Sequence, residues 1–205
     1  MLAVLTVALL AWRGNAARST VILAGVATGS ILTALREALT TLYSDTAMLS
    51  GAFRVGGFSS VAGARLIPAA VLILLALTAA LTLCKQLDIL SLGEETARSL
   101  GMPVRAVRTV FLLLAAVLAG AAVSFAGLLG FVGLLVPHMA RRLAGSRSQK
   151  SLPMSILLGA GLVTVCDLVS RLLFAPHELP VGILLSVLGG PFFLVLLIRK
   201  GEYHD

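Results

Sequence analysis

The sequence contains little charge. Only 12% of its 205 residues are Asp, Glu, Lys or Arg, whereas 59% are hydrophobic. Soluble domains average about 25% charged and about 45–50% apolar residues. A chain with so few charges cannot cover its apolar residues with a polar surface, so the composition predicts a membrane protein. We expect an all-α polytopic fold, in which each spanning helix satisfies its own backbone polar groups.

Other absences exclude several function classes. Aromatic residues make up 5% of the chain and no nucleic-acid-binding module is visible, so the net charge of +7 does not indicate a nucleic-acid partner. Cys84 and Cys166 lie at or in apolar runs, without the spacing of a metal site or a disulfide framework. The sequence also lacks GxxxxGK[ST] and HExxH. We therefore expect no catalytic residue, no metal and no cofactor in this chain.

Apolar runs recur along the whole sequence. They cover about 19–42, 61–84, 106–127, 128–140, 153–174 and 181–198, and a shorter apolar stretch, 1–11, precedes them. A helix needs about 20 residues to cross the ~30 Å hydrocarbon core. The pattern therefore predicts a polytopic protein with about six full transmembrane helices. The stretch 1–11 is predicted to be the end of a further, partial one.

The run 109–139 is too long for one span, and His138 is its only ionisable residue. Basic clusters flank the run on both sides, and the cytoplasmic loops of membrane proteins carry an excess of Lys and Arg. Two helices joined by a tight outer turn near 124–127 would place both clusters in the cytoplasm. Continued along the chain, this orientation puts the C-terminus in the cytoplasm as well.

The stretch LSLGEETARSLGMP, residues 90–103, predicts a short helix outside the bilayer. Ser91 and Glu94 have the spacing of a capping box, and Glu94 and Arg98 stand four residues apart. Gly101 suits a C-terminal cap, and Pro103 prevents the helix from continuing. Such a helix is either a solvated linker or an element that a partner protein grips.

Two polar groups within apolar runs have open interpretations. Asp167 and Arg171 stand four residues apart, either as a functional pair or as a mutually neutralising pair near the outer boundary. Gly25, Thr28 and Ser30 give the run 19–42 a small, polar face. That face suits either close helix packing or the lining of an aqueous path.

The stretch GFVGLLVPHMARR, residues 130–142, raises the question of a site inside the membrane. A catalytic or metal site at His138 would need companion ligands or a nucleophile with an acid. His177 and His204 are predicted to lie at other levels of the protein. We expect Pro137 to weaken the last helical turns, while His138 and the arginines anchor the helix at the headgroups. An intramembrane hydrolase using His138 is the less favoured alternative.

Several of these stretches closely resemble the FecCD/BtuC-type permease family, the membrane subunits of importers for iron–siderophore complexes, haem and vitamin B12. They are GFVGLLVPHMARRLAG (130–145), DLVSR (167–171) and ELPVGILLSVLGGPFF (178–193). LSLGEETARSLGMPV (90–104) resembles the family's cytoplasmic coupling region, and ILAGVATGSILTAL (22–35) resembles its fifth helix. The resemblance implies that 1–205 is one transmembrane permease domain with a BtuC-like fold. It would be the C-terminal part of a ten-helix subunit, starting at the end of the fourth helix.

The resemblance also implies location, partners and activity. We expect a multi-pass protein of the bacterial inner membrane, surrounded by the lipid bilayer. The partners would be a second permease subunit (in a homodimer or heterodimer), two cytoplasmic ATPase subunits and an extracytoplasmic substrate-binding protein. The chain itself would be no enzyme; it would couple motions of the ATPases to import of an iron complex. The alternative is a secondary carrier or channel that works without an ATPase.

Residue roles follow from the same resemblance. In the coupling region, 90–102, the matching residues are Gly93, Glu94, Ala97, Leu100 and Gly101. The family signature at the inner boundary matches Gly130, Phe131, Gly133, Pro137, His138 and Arg141. Arg171 matches an outer-surface arginine that pairs with glutamates on the binding protein. Gly25, Thr28 and Ser30 remain candidates for lining the pathway.

Overall fold

The computed structural model describes residues 18–43, 51, 53–58, 63–173 and 179–201. Its bounded helices are α1 Arg18–Leu42, α2 Gly63–Thr82, α3 Cys84–Ser91, α4 Glu94–Ser99, α5 Val104–Ala126, α6 Val132–Ala144, α7 Ser148–Leu173 and α8 Val181–Gly201. The described part of the chain contains no strand, so the predicted all-α class is confirmed. The predicted partial span at 1–11 lies outside the described residues, as do His177 and His204.

Two of these helices are long and apolar enough to cross a bilayer, namely α5 with 23 residues and α7 with 26. A third span results if Leu66–Thr82 and Cys84–Ser91 are taken together, because they form an apolar pair bent by 58°. The bend follows Thr82, whose hydroxyl donates a hydrogen bond to the Ala79 carbonyl at 2.9 Å, and such bonds back to the preceding turn bend helices. Of the other predicted spans, those at 19–42 and 181–198 stay a prediction.

The long apolar run 109–139 divides into two helices, but later than expected and with unequal arms. Helix α5 continues through 124–126, and the chain turns at 127–131, where Gly127 has a φ of 69°. This turn takes up apolar residues that the sequence pattern assigned to a second span. Helix α6 consequently has 13 residues. At 1.5 Å per residue it is about 20 Å long, so the prediction of a full span at 128–140 is wrong.

The chain forms two compact units. The first holds α1, α3, α4 and most of α2 and α5. In α2 the buried positions are small, Ala69, Ala76 and Ala80, whereas the larger Ile67 and Leu75 are 72% and 64% exposed. Membrane helices favour this arrangement of small residues inside and large apolar residues outside. In lipid the hydrophobic effect does not drive helices together, so they associate through close packing, which small residues at the contact allow.

The second unit takes in the segment 53–58 and helices α6, α7 and α8, which pack against one another pairwise. Its core consists of the buried residues Cys166, Val181 and Leu185. Half-buried apolar side chains surround this core, and one of them, Phe58, comes from the segment that precedes α2. The segment 53–58 therefore belongs structurally with α7 and α8, although it lies far from them in the sequence.

Three pieces of backbone, each at or beside a helix end, meet in this second unit. They are the segment 53–57, the C-terminal end of α5 with the residues after it, and the first turn of α8. Their backbone hydrogen bonds run from Gly57 N to Ala126 O (2.9 Å), from Leu128 N to Phe53 O (3.2 Å) and from Gly182 N to Gly56 O (3.3 Å). Each piece thus satisfies polar groups that helix formation leaves open in the others.

Glycine makes this meeting possible. Gly56, Gly127 and Gly182, which we call the glycine junction, each lie where a side chain would collide with neighbouring backbone. A Cβ atom on Gly127 would lie 2.7 Å from the Phe53 carbonyl oxygen, and one on Gly182 would overlap the Val55 carbonyl oxygen. Gly56 and Gly127 also have φ values of 68° and 69°, in the left-handed region that favours glycine.

The glycine junction gives a stability prediction. Gly182→Ala forces a methyl group into the Val55 carbonyl, so it should lower the free energy of unfolding by about 1–3 kcal/mol, the usual range for overpacking. Gly161→Ala in α7 is the matched control, because the added Cβ meets no described atom within 4 Å apart from its chain neighbours and the nearby backbone of its own helix. The measurement is the apparent melting temperature of each variant in the same detergent. Equal melting temperatures for both variants would contradict the junction's role.

Candidate functional site

The short helix α4 is bounded by two glycines in conformations that other residues avoid. Gly93 precedes it with a φ of 114° and a ψ of 152°, and Gly101 follows it with a φ of 78°. The Gly101 N–H donates to the Arg98 carbonyl at 2.9 Å, and the Met102 N–H donates to the Ala97 carbonyl at 3.1 Å. These two bonds form a Schellman motif. The prediction that Gly101 caps this helix is confirmed.

The predicted capping box at the other end of α4 is wrong. Helix α3 continues to Ser91, whose hydroxyl donates to the Asp88 carbonyl at 2.6 Å within its own helix. Gly93 occupies the N-cap position of α4, and no side chain caps it. The sequence pattern failed here because it did not place a second helix, α3, directly before α4.

Glu94 is held by two arginines. Its carboxylate accepts a hydrogen bond from Arg108 Nη1 at 3.1 Å and lies 3.6 Å from Arg98 Nη2. The side chain of Arg108, in α5, is 26% exposed, that of Glu94 33% and that of Arg98 58%. The spacing of Glu94 and Arg98 was visible in the sequence. The stronger contact was missed, because fourteen residues separate Glu94 from Arg108 and no helical period relates them.

The other predicted coupling residues differ in accessibility. Ala97 is completely buried, so it does not touch a partner directly, whereas Leu100 is 63% exposed. Leu92, which the sequence did not single out, is 66% exposed at the other end of α4. Two large apolar side chains therefore flank α4 and remain accessible.

The signature stretch 130–142 forms the start and body of α6. Phe131 stands at its N-cap with a φ of 63°, in the left-handed conformation. Its side chain lies against Gly189 of α8, where a Cβ atom would overlap it. At the other end, Arg141 and Arg142 occupy the last turn and are exposed, as expected for residues that anchor a helix at the headgroups. Pro137 lies within the helix.

His138 faces α8. Its ring meets that of Phe192 edge-on, with centroids 6.2 Å apart, and both line a cleft of about 280 Å³ between α6 and α8. Its Nε2 atom is buried and has no hydrogen-bond partner in the described part of the chain. The residues that the structure describes include no group of three or more His, Cys, Asp or Glu side chains that could hold a metal ion.

Asp167 and Arg171 form the ion pair that their spacing predicted. Arg171 Nε donates to Asp167 Oδ2 at 2.9 Å, and the two side chains are 43% and 26% exposed, respectively. Ser170, between them in sequence, is buried and donates to the Asp167 carbonyl at 2.8 Å. The pair thus lies on an accessible side of α7, and the cation is the more accessible partner.

The small polar face of α1 is open. A Cβ placed on Gly25 would meet no described atom within 4 Å apart from its chain neighbours and the nearby backbone of α1, and Ser30 is exposed. The Thr28 hydroxyl donates to the Ala24 carbonyl of its own helix at 2.7 Å. Among the described residues, no helix packs closely onto Gly25. Packing within this part of the chain therefore does not explain the small residues.

Comparison with known proteins identifies the family. Residues 1–199 match the model of the FecCD transport family. The chain belongs to the FecCD transport family. The hemin transport system permease protein HmuU of Yersinia pestis is 39% identical over 193 residues, which are 94% of this chain and 57% of that protein. The ferric enterobactin transport system permease protein FepG of Escherichia coli is 36% identical over 199 residues, covering 97% of this chain and 60% of that protein.

A solved structure supports the same assignment. It is described as an inward-facing conformation of a metal-chelate type ABC transporter, and it superposes with a TM-score of 0.87 at 29% identity. The superposition covers 96% of this chain and 63% of that one. This FecCD chain thus has the predicted BtuC-like permease fold and is an integral membrane protein. It spans between one half and two thirds of the length of these relatives.

The two glycines around α4 give a prediction of local stability. Gly93→Ala should loosen α4, because its φ and ψ lie in a region used essentially by glycine alone and the strain is about 1–3 kcal/mol. Gly101→Asn should have a smaller effect, since asparagine tolerates the left-handed conformation. Amide hydrogen exchange over 93–103 measures both. Faster exchange in Gly101→Asn than in Gly93→Ala would contradict the assignment.

Proposed function

We propose that this chain is the membrane-spanning permease subunit of an ATP-driven importer for an iron complex. The observation that carries the proposal is helix α4, a short polar helix in an otherwise apolar chain. Glycines bound it at both ends, and an ion pair ties it to the spanning helix α5. Family membership and relatives named for hemin, ferric enterobactin and achromobactin transport support the choice of cargo.

The mechanism assigns each region a task. In the proposed orientation α4 and the C-terminus lie in the cytoplasm, and α4 seats in one of two ATPase subunits through Leu92 and Leu100. ATP-driven closure of those subunits displaces α4, and binding free energy shifts the permease between inward-open and outward-open states. The cargo passes between this chain and a second permease subunit. The face with Gly25, Thr28 and Ser30 lines part of that path, where hydroxyls and small side chains leave room for a polar cargo.

A carrier or channel without an ATPase is the alternative function. It would leave α4 as a solvated linker, and the exposed Leu92 and Leu100 would have no partner. An intramembrane hydrolase has less support, because the His138 ring packs against Phe192.

Uptake measurements separate the importer from the carrier. The protein is purified from its own membranes with its associated subunits and reconstituted into liposomes. Uptake of radiolabelled ferric enterobactin, ferric citrate and hemin is then measured. We expect ATP to drive uptake of at least one probe. With a non-hydrolysable ATP analogue we expect no uptake, whether or not a proton or sodium gradient is imposed across the liposome membrane. Gradient-driven uptake without ATP would favour the carrier.

Arg171 gives a prediction for docking of the binding protein. Arg171→Gln should weaken docking about three- to tenfold, most strongly at low salt, because an exposed interfacial cation contributes modestly and is screened by ions. Asp167→Asn is the matched control: it breaks the same ion pair but leaves the cation, so docking should be unchanged or tighter. Titration of labelled binding protein at two salt concentrations measures both. Equal weakening by both variants would assign the pair a structural role only.

A further inference from the structure

Helix α4 is attached to α5 at two points. Residues 100–103 join the end of α4 covalently to Val104, the first residue of α5. At the opposite end, the first residue of α4, Glu94, accepts the hydrogen bond from Arg108, in the second turn of α5. Leu92 and Gly93 also join the N-terminal end of α4 to α3, which packs against it. These two connections leave the N-terminal end of α4 able to move relative to α5. The contact between Glu94 and Arg108 restricts this movement, because it ties that end of α4 directly to α5.

The position of this contact makes it stronger than an ordinary surface pair. Both side chains are about one-third exposed or less, and the hydrogen bond joins two charged groups. Partial shielding from water and charge both strengthen such a bond. Arg98 also neutralises Glu94, but it lies on α4 itself and is 58% exposed. Arg98 therefore cannot connect α4 to α5.

We propose that Glu94 and Arg108 form a clamp that makes α4 and the first turns of α5 move as one piece. A displacement of α4 by a partner is then passed directly to a membrane-spanning helix instead of being lost in bending at 100–103. This rests on the proposed function, since only a driven permease has a displacement to pass on. It assigns Glu94 and Arg108 as positioning residues within the chain and leaves contact with the ATPase to the exposed Leu92 and Leu100.

The test measures coupling rather than activity alone. In the reconstituted assembly, the quantity is the amount of probe taken up per ATP hydrolysed, with the iron complex or hemin that the wild type transports. Glu94→Gln and Arg108→Gln should each lower this ratio about three- to tenfold, as expected for a partly exposed charged hydrogen bond. Arg98→Gln is the matched control. It removes an arginine beside the same carboxylate, and its ratio should stay close to that of the wild type.

Exchanging the two charges tests the contact itself. The double variant Glu94→Arg with Arg108→Glu should restore most of the uptake per ATP hydrolysed, whereas either charge reversal alone should not. The exchange is made in the Arg98→Gln background, because a cation at position 94 would otherwise face Arg98 at close range. Recovery separates the clamp from a nonspecific effect of lost charge at either position.

Amide hydrogen exchange over 93–103 shows whether α4 is released. Arg108→Gln should raise exchange there and leave the rest of α5 unchanged, while Arg98→Gln should raise it less. If the wild type shows ATP-driven uptake but Arg108→Gln changes neither the exchange nor the uptake per ATP, the proposed clamp is wrong. The proposed importer function would be unaffected by that result. Wild-type protein without ATP-driven uptake would overturn the importer and, with it, the role of the clamp.

Discussion

Backbone groups that leave a helix inside a membrane protein must find another partner, because hydrocarbon offers no hydrogen bonds. The second unit meets this constraint at the glycine junction. There the segment 53–57, the end of α5 and the start of α8 supply one another's donors and acceptors at 2.9–3.3 Å. A side chain at Gly56, Gly127 or Gly182 would collide with the neighbouring backbone, so these contacts depend on glycine at the three positions. The positions of the helix ends in this unit, and the core around Val181, depend on these contacts.

The signature stretch at 130–142 follows from the same constraint. After Gly127 the chain must turn and start α6, and Phe131 does so in a left-handed conformation that is unfavourable for a bulky residue. Its side chain is held against Gly189. The backbone strain is thus supported by packing between α6 and α8, and His138 continues that contact against Phe192 one to two turns later. The conspicuous histidine belongs to a helix–helix contact.

The sequence predicted those features that depend on residues within one helical turn of each other. The end of α4 was predictable because Gly101 and Pro103 act within one turn, and the Asp167–Arg171 pair because four residues make one helical turn. The boundary between α5 and α6 was misplaced because hydropathy does not distinguish a turn from a helix among equally apolar residues. The turn at 127–131 is fixed instead by bonds to 53–57, more than sixty residues away in the chain. The contact between Glu94 and Arg108 was equally invisible, because it requires the tertiary course of the chain.

Helix α4 shows most clearly why its tertiary contacts matter. Six residues are far below the length at which an isolated helix is stable in water, because nucleation costs more than so few hydrogen bonds return. Burial adds little, since within α4 only Ala97 is buried. The helix is therefore stabilised by its two glycine ends, by packing against α3 and by the contact with Arg108. One of these attachments is the contact with α5, so α4 cannot be displaced away from α5 without breaking the hydrogen bond between Glu94 and Arg108. An interaction that helps to stabilise α4 therefore also makes it suited to transmit motion.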